Sequence, residues 1–275
     1  SLIRFLEARF GRHHPDLIET NITPWRRAVA GDITSAFDFR SVDPDVADLP
    51  DTSGYVPPDD SAHPDVHPEV PSVLAVPNQE PGVRSARAVP YELEVRGEVN
   101  SQRGTVNLCF INTGRAAAVF QVRSNGDRGP WTYTVGRGDQ TSDSWNVAAN
   151  GENQYDLSVY AQNGFFRSFK GSVGSSDRAN LQVQAIYDRS GGLRLEIEND
   201  GRRPVNLRIE DAYTRQIVQQ PLGAGRKFAW RGSLEASHGW YDLTLTVESD
   251  PTFRQQLAGH VETGRDSVSD PLLGG

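Results

Sequence analysis

Between residues 87 and 264 apolar residues recur at every second position in short runs, and the runs occur twice in the same order. Val106, Leu108 and Phe110 lead up to Asn112-Thr113-Gly114, and Leu193, Leu195 and Ile197 lead up to Asn199-Asp200-Gly201, 87 residues later. Tyr155-Asp156-Leu157-Ser158-Val159 returns as Tyr241-Asp242-Leu243-Thr244-Leu245. Phe165, Phe169, Gly171 and Val173 return as Phe253, Leu257, Gly259 and Val261, while Trp145 and Trp230 match more loosely at a spacing of 85. A period of two puts successive side chains on opposite faces of a strand, so both copies read as half-buried strands. In the first copy the pattern predicts strands at 91–97, 105–112, 118–124, 131–135, 141–147, 155–161 and 165–173, with Tyr155, Leu157 and Val159 facing inward. Asn163-Gly164 predicts a two-residue hairpin, because that turn needs positive φ at both central positions. About seven short strands per copy define a mainly β chain of two tandem Ig-like/fibronectin-like antiparallel β-sandwiches, at 87–174 and 175–265, with a tail at 266–275. Adjacent copies are expected to stack end to end or to pack at an angle.

The chain ahead of the repeats has two other characters. Leu2, Ile3, Leu6 and Phe10 recur at helical spacing and Gly11 follows, which predicts a short amphipathic helix. Thr23-Pro24 offers a cap and a proline for a second helical turn through Trp25 and Val29. A piece of this size, residues 1–40, buries little surface alone and is expected to lean on a larger body. Residues 41–86 contain nine of the 17 prolines. Each proline fixes φ and removes a backbone donor, so this stretch reads as an extended connector.

Composition sharpens that division. The chain carries 28 basic and 36 acidic residues. The whole excess lies in the connector, where Asp43, Asp45, Asp48, Asp51, Asp59, Asp60, Asp65 and Glu69 face no Lys or Arg between Ser41 and Glu69. A basic footprint for nucleic acid is absent, and no nucleic-acid partner is expected. Hydrophobic residues make up 36% and the mean hydropathy is −0.55, which suits lean sandwiches with one wet face per sheet. No apolar run approaches the roughly 20 residues of a membrane-spanning helix. The lone Cys109 cannot form an internal disulfide and is expected to be an inert thiol on a strand.

A search for chemistry finds no Gly-x-Ser-x-Gly elbow, no phosphate-cradling loop and no His-Glu-x-x-His. His63, Asp65, His67 and Glu69 alternate with prolines and valine, which places metal-type ligands on one side of an extended strand. No second cluster completes a coordination shell, so the run reads as a solvated strap and no cofactor is expected in this chain. Trp25-Arg26 offers an aromatic and a cation for a partner or a headgroup. Phe166 points outward beside the hairpin, a position from which an aromatic ring could meet a lipid interface. Trp131, Trp145, Trp230 and Trp240 read as sandwich core.

The stretches Ser1-Leu-Ile-Arg-Phe-Leu-Glu-Ala-Arg-Phe-Gly11, Asn21-Ile-Thr-Pro-Trp-Arg-Arg-Ala-Val29 and Gly31-Asp-Ile-Thr-Ser-Ala-Phe37 resemble the end of the catalytic domain in bacterial phosphocholine-preferring phospholipases C. Tyr55-Val-Pro-Pro-Asp-Asp60 and Gln79-Glu-Pro-Gly82 resemble that family's connector. Gly239-Trp-Tyr-Asp-Leu243 and Gly264-Arg-Asp-Ser-Val-Ser-Asp-Pro271 resemble its paired C-terminal domains. The resemblance implies the following. Residues 1–40 end an alkaline-phosphatase-like catalytic domain that hydrolyses phosphatidylcholine or sphingomyelin. The nucleophile and metal ligands lie upstream of Ser1, so this chain has no catalytic residue of its own. The protein is bacterial and secreted or periplasmic. Its partners are its own catalytic domain and a phospholipid membrane. The family often has Cys near the position of Ala30, which this chain lacks. An alternative reading is an independent sandwich pair that binds sugar or protein; it requires exposed aromatics clustered on one face, for which Phe166 and Trp240 are the candidates.

Overall fold

The computed structural model describes residues 1–37, 51, 53, 72–73, 81–125, 129–147, 153–174, 178–188 and 190–273. Strand β1 (Ser85–Ala86) precedes the first copy, which runs β2 (Leu93–Asn100), β3 (Thr105–Asn112), β4 (Ala118–Ser124), β5 (Trp131–Val135), β6 (Asp139–Asn146), β7 (Gln154–Tyr160) and β8 (Phe166–Ser172). The second copy runs β9 (Leu181–Tyr187), β10 (Leu193–Asn199), β11 (Val205–Asp211), β12 (Ile217–Leu222), β13 (Lys227–Gly232), β14 (Trp240–Val247) and β15 (Asp250–His260), and β16 (Ser267–Val268) follows. Each copy is a seven-stranded sandwich: β2-β3-β6 faces β5-β4-β7-β8, and β13-β10-β9 faces β12-β11-β14-β15.

The copies do not stack end to end. They lie side by side, because β8 pairs antiparallel with β15 and fuses the two four-stranded sheets into one of eight strands. The physical reason lies in the backbone. As the outermost strands of their halves, both would otherwise present unpaired N–H and C=O groups to water or to another chain, and pairing them removes both edges. The central pair is Ser168 with Gln256, 88 residues apart in sequence, so a local two-fold axis passes through the joint. The axis therefore relates one cross-strand pair to another: Arg167 faces Leu257, and their equivalents Gln255 and Phe169 face each other.

Two repeated motifs acquire a cause inside each sandwich. The Asn that closes the second strand of each half is fully buried. Asn112 Nδ2 donates to the carbonyls of Ala116 (2.8 Å), Val135 (3.1 Å) and Gly136 (3.1 Å), while its Oδ1 accepts from the Gly114 N–H. Asn199 does the same with Arg203, Leu222 and Gly201. The amide thus ties a turn of one sheet to the last strand residue of the other, satisfying backbone groups that water does not reach. The Tyr–Gly pairs have a steric origin. Tyr155 opposes Gly171 and Tyr241 opposes Gly259 across the ladder. A Cβ on Gly171 would come within 2.6 Å of the Tyr155 hydroxyl, so glycine leaves room for the ring to lie across the strand. Burial pushes the Tyr155 phenol up to about 12.

Residues 1–37 form helix α1 (Leu2–Phe10), a 3-10 turn (Pro15–Leu17), helix α2 (Pro24–Val29) and a second 3-10 turn (Thr34–Ala36). Thr23 caps α2 by accepting from the Arg26 N–H. Glu7, buried on α1, takes a two-pronged ion pair from Arg27 (2.8 and 3.0 Å) and the Glu19 N–H (2.7 Å). The hydrogen bonds from Arg27 and from Glu19 hold its carboxyl down to about 2, below the usual carboxylate range. The segment is internally fixed by polar contacts, and its apolar side chains are left in solvent.

Candidate functional site

The joint between the copies holds the largest fully buried side chain of the described residues, Arg167 on β8. It occupies the inward phase between Phe165 and Phe169, where the second copy has Gln255. Nη1 donates to the carbonyls of Phe166 (2.7 Å) and Ala258 (3.0 Å); Nη2 donates to the hydroxyls of Tyr187 (2.5 Å) and Tyr241 (3.0 Å). The Phe165 ring lies 4.3 Å from the guanidinium carbon, a cation–π contact in a dry setting. Tyr187 and Tyr241 are 2.9 Å apart through their hydroxyls, and Tyr187 also reaches the Leu93 carbonyl of the first copy (3.3 Å). Burial drives the Tyr187 phenol well above its ordinary range, so it stays a donor at all ordinary pH. Beside this network lies a cavity of about 30 Å³, lined by Tyr91, Leu93, Gln162, Phe165, Tyr187 and His260 among others. It has room for one or two waters and for no organic substrate. The joint is a structural lock.

A second constellation has the outline of a hydrolytic triad. His260 Nδ1 lies 2.8 Å from Glu262 Oε1, and its Nε2 lies 3.1 Å from Ser267 Oγ. Its polarity is wrong for that chemistry. Nε2 also faces the His238 carbonyl at 3.0 Å, a second partner that competes with Ser267 for the same ring nitrogen. The Ser267 hydroxyl points its own proton at the same carbonyl (2.9 Å). The group works instead as a clasp for the tail. It is continuous with the β1–β16 pairing, with Trp240 Nε1 donating to the Val268 carbonyl (2.9 Å), and with Tyr213 hydrogen-bonded to Asp270 (2.8 Å).

The residues singled out from sequence fall as follows. Phe166 is half-buried on the outer face of the eight-stranded sheet, its ring 5.1 Å from that of Tyr160, which Arg123 covers at 5.6 Å. Trp25 is half in solvent and donates from Nε1 to Thr134 Oγ1 on β5 (2.6 Å), so it links α2 to the first sandwich. Its neighbour Arg26 is exposed. His63, Asp65, His67 and Glu69 lie outside the described residues, among which no cluster of metal-ligating side chains occurs. Cys109 sits half-buried on the outward phase of β3. Trp240 is buried beneath the tail and offers no exposed platform. Trp230 is buried as expected, whereas Trp131 and Trp145 are only half-buried. The match of Trp145 with Trp230 is overturned by the ladder: Leu108 pairs with Asp143 in one copy and its equivalent Leu195 pairs with Trp230 in the other, so Trp230 corresponds to Asp143. Sequence reasoning missed Arg167, although an arginine on the apolar phase of a core strand was a visible signal. Among the described residues no helix is long and apolar enough to cross a membrane.

Fold and site together define a paired β-sandwich protein whose two copies are locked by a shared sheet, with a helical segment that reaches the first copy through Trp25. The model of the bacterial phospholipase C C-terminal domain matches it twice, over residues 85–172 and 178–260. The chain belongs to that family. It is 43% identical over 279 residues to the non-hemolytic phospholipase C of Burkholderia pseudomallei, covering 99% of this chain and 39% of that protein. It is 40% identical over 286 residues to the non-hemolytic phospholipase C of Pseudomonas aeruginosa, covering 100% and 40% respectively. The hemolytic phospholipase C of P. aeruginosa is 35% identical over 308 residues, covering 99% and 41%. The chain therefore spans about two fifths of the length of these relatives.

Proposed function

We propose that this chain is the non-catalytic C-terminal part of an exported phospholipase C that releases phosphocholine from phosphatidylcholine or sphingomyelin. Its sandwich pair steadies the catalytic domain and positions it at membranes. The observation that carries this reading is the apolar face of residues 1–37. Leu2, Ile3, Leu6, Phe10, Leu17 and Trp25 are all more than 40% exposed, although polar contacts hold their backbone in a defined shape. Such a face calls for a second layer to cover it. The relatives, more than twice as long, have the chain length to supply one.

In the isolated chain, Leu6→Asp with Phe10→Asp is expected to leave the melting temperature nearly unchanged, since both side chains already lie on the exposed surface. In the longer enzyme the same pair should bury two charges, lowering stability by several kcal/mol and cutting p-nitrophenylphosphorylcholine turnover. The isolated chain should show turnover at background. Turnover by the chain alone, or an unchanged longer enzyme, sinks the reading. The Phe166–Tyr160 aromatic pair is the proposed membrane contact. Phosphatidylcholine vesicles should pellet less of Phe166→Ala than of wild type, and equal pelleting removes Phe166 from that role.

A further inference from the structure

Resting on the function proposed above, we infer that the catalytic domain docks on the first sandwich and not on the second, through a latch between Trp25 and Thr134 on the outer face of β5. Val135 is buried, and Trp131 and Tyr133 pack against the core. Alternation therefore turns Thr132 and Thr134 to the opposite, outer face of the eight-stranded sheet, where both are exposed. There Thr134 Oγ1 accepts from Trp25 Nε1 at 2.6 Å, across 109 residues of sequence.

The second copy is an internal control for what the fold alone requires. Among the described residues β5 and β12 are the two outermost strands of the same sheet. The buried Asn112 donates to the Val135 carbonyl, and its counterpart Asn199 donates to the Leu222 carbonyl. Val119 pairs with Thr134, and Asn206 pairs with Pro221. Thr134 therefore corresponds to Pro221. Proline offers neither a hydroxyl nor an N–H, and it blunts an edge strand against pairing. In β5 the run Trp131-Thr132-Tyr133-Thr134-Val135 holds neither proline nor charge. One outer strand is thus retired by its own sequence. The other presents, at the same position, a hydroxyl that residues 1–37 engage.

The latch stands on a fixed base. Thr23 caps α2, Pro24 opens it, and Trp25 follows in the first turn. Two residues on, Arg27 joins α2 to Glu7 of α1 (2.8 Å) and to the Glu19 carbonyl (2.6 Å). Arg4 of α1 returns a hydrogen bond to the Arg27 carbonyl (2.9 Å). The two helices are tied into one piece, which reaches β5 through Trp25 and leaves Leu2, Ile3, Leu6 and Phe10 exposed for the rest of the catalytic domain to cover. A hydrogen bond is directional, so this contact sets the orientation of that piece where a purely apolar one would let it slide.

Hydrogen–deuterium exchange of the full chain reads the latch at a distance. Thr134→Val keeps the β-branched shape that suits a strand and removes only the hydroxyl. It should raise exchange of the α2 amides of Arg27 and Ala30 about threefold or more, the order expected for loss of one hydrogen bond. Trp25→Phe should raise it equally, and the double variant no further, because both remove the same bond. Thr132→Val, on the same face of the same strand, should leave α2 at the wild-type rate. An α2 unmoved by Thr134→Val overturns the proposal, as do additive effects of the two latch variants or an equal effect of Thr132→Val. An unmoved α2 beside a longer enzyme still damaged by Leu6→Asp with Phe10→Asp overturns the latch alone. An α2 that moves beside a longer enzyme indifferent to that pair overturns the catalytic domain as the occupant.

Discussion

Replacing Arg167 with alanine should destabilise the chain by about 3–5 kcal/mol and split one unfolding transition into two. The guanidinium makes four hydrogen bonds, two of them to second-copy tyrosines and one to the Ala258 carbonyl across the β8–β15 ladder. Truncation leaves two carbonyls without that donor and opens a void where the largest buried side chain stood. At about 2–4 °C per kcal/mol for a chain of this size, the melting temperature should fall by roughly 10 °C. The splitting follows from position, because Arg167 binds one copy to the other and contributes less to either alone. Arg254→Ala, on the exposed outer face of the same joint, should stay within about 0.5 kcal/mol of wild type. Differential scanning calorimetry reads both quantities. A single transition with less than about 1 kcal/mol of loss would show that the joint is held by the ladder alone.

Asn112→Ala and Asn199→Ala are each expected to cost about 2–4 kcal/mol. Each removes an amide at a fully buried position whose donors serve two or three carbonyls and whose oxygen serves a glycine N–H. Asn112→Asp should cost more than Asn112→Ala, because a carboxylate would face the carbonyls that the amide now supplies with hydrogens. The two alanine effects should add, since the residues serve different sandwiches. Urea denaturation of both single variants and the double variant tests this. A loss under about 1 kcal/mol at either site would mean that the Asn-x-Gly repeat is a turn preference and not a staple.

The strands were largely legible because alternation is a local property. The predicted runs 105–112, 118–124 and 131–135 coincide with β3, β4 and β5, and Asn163 and Gly164 both take positive φ as the hairpin requires. The side-by-side joint was not legible, because edge pairing uses backbone groups that every residue carries, and β8 and β15 show no pattern that names each other as partners. The Trp145–Trp230 mismatch arose because a shared residue type at a similar spacing carries no register, whereas the ladder fixes register through Leu108 and Leu195. The joint's key residue, Arg167, was hidden for a related reason. Periodicity averages over a strand, and Phe165, Phe169 and Val173 outvote a single charge. The contact between Trp131 and Trp145 needed three dimensions, since they lie on strands of opposite sheets.

The short ladder between β1 and β16 has a topological corollary. Ser85 opposes Val268 and Ala86 opposes Ser267, so the polypeptide arrives at the sandwich pair and departs from it one interstrand spacing, about 4.8 Å, apart. A block whose entry and exit strands lie side by side has a single narrow neck of two adjacent strands. It can be cut out or spliced into a surface loop without stretching what flanks it.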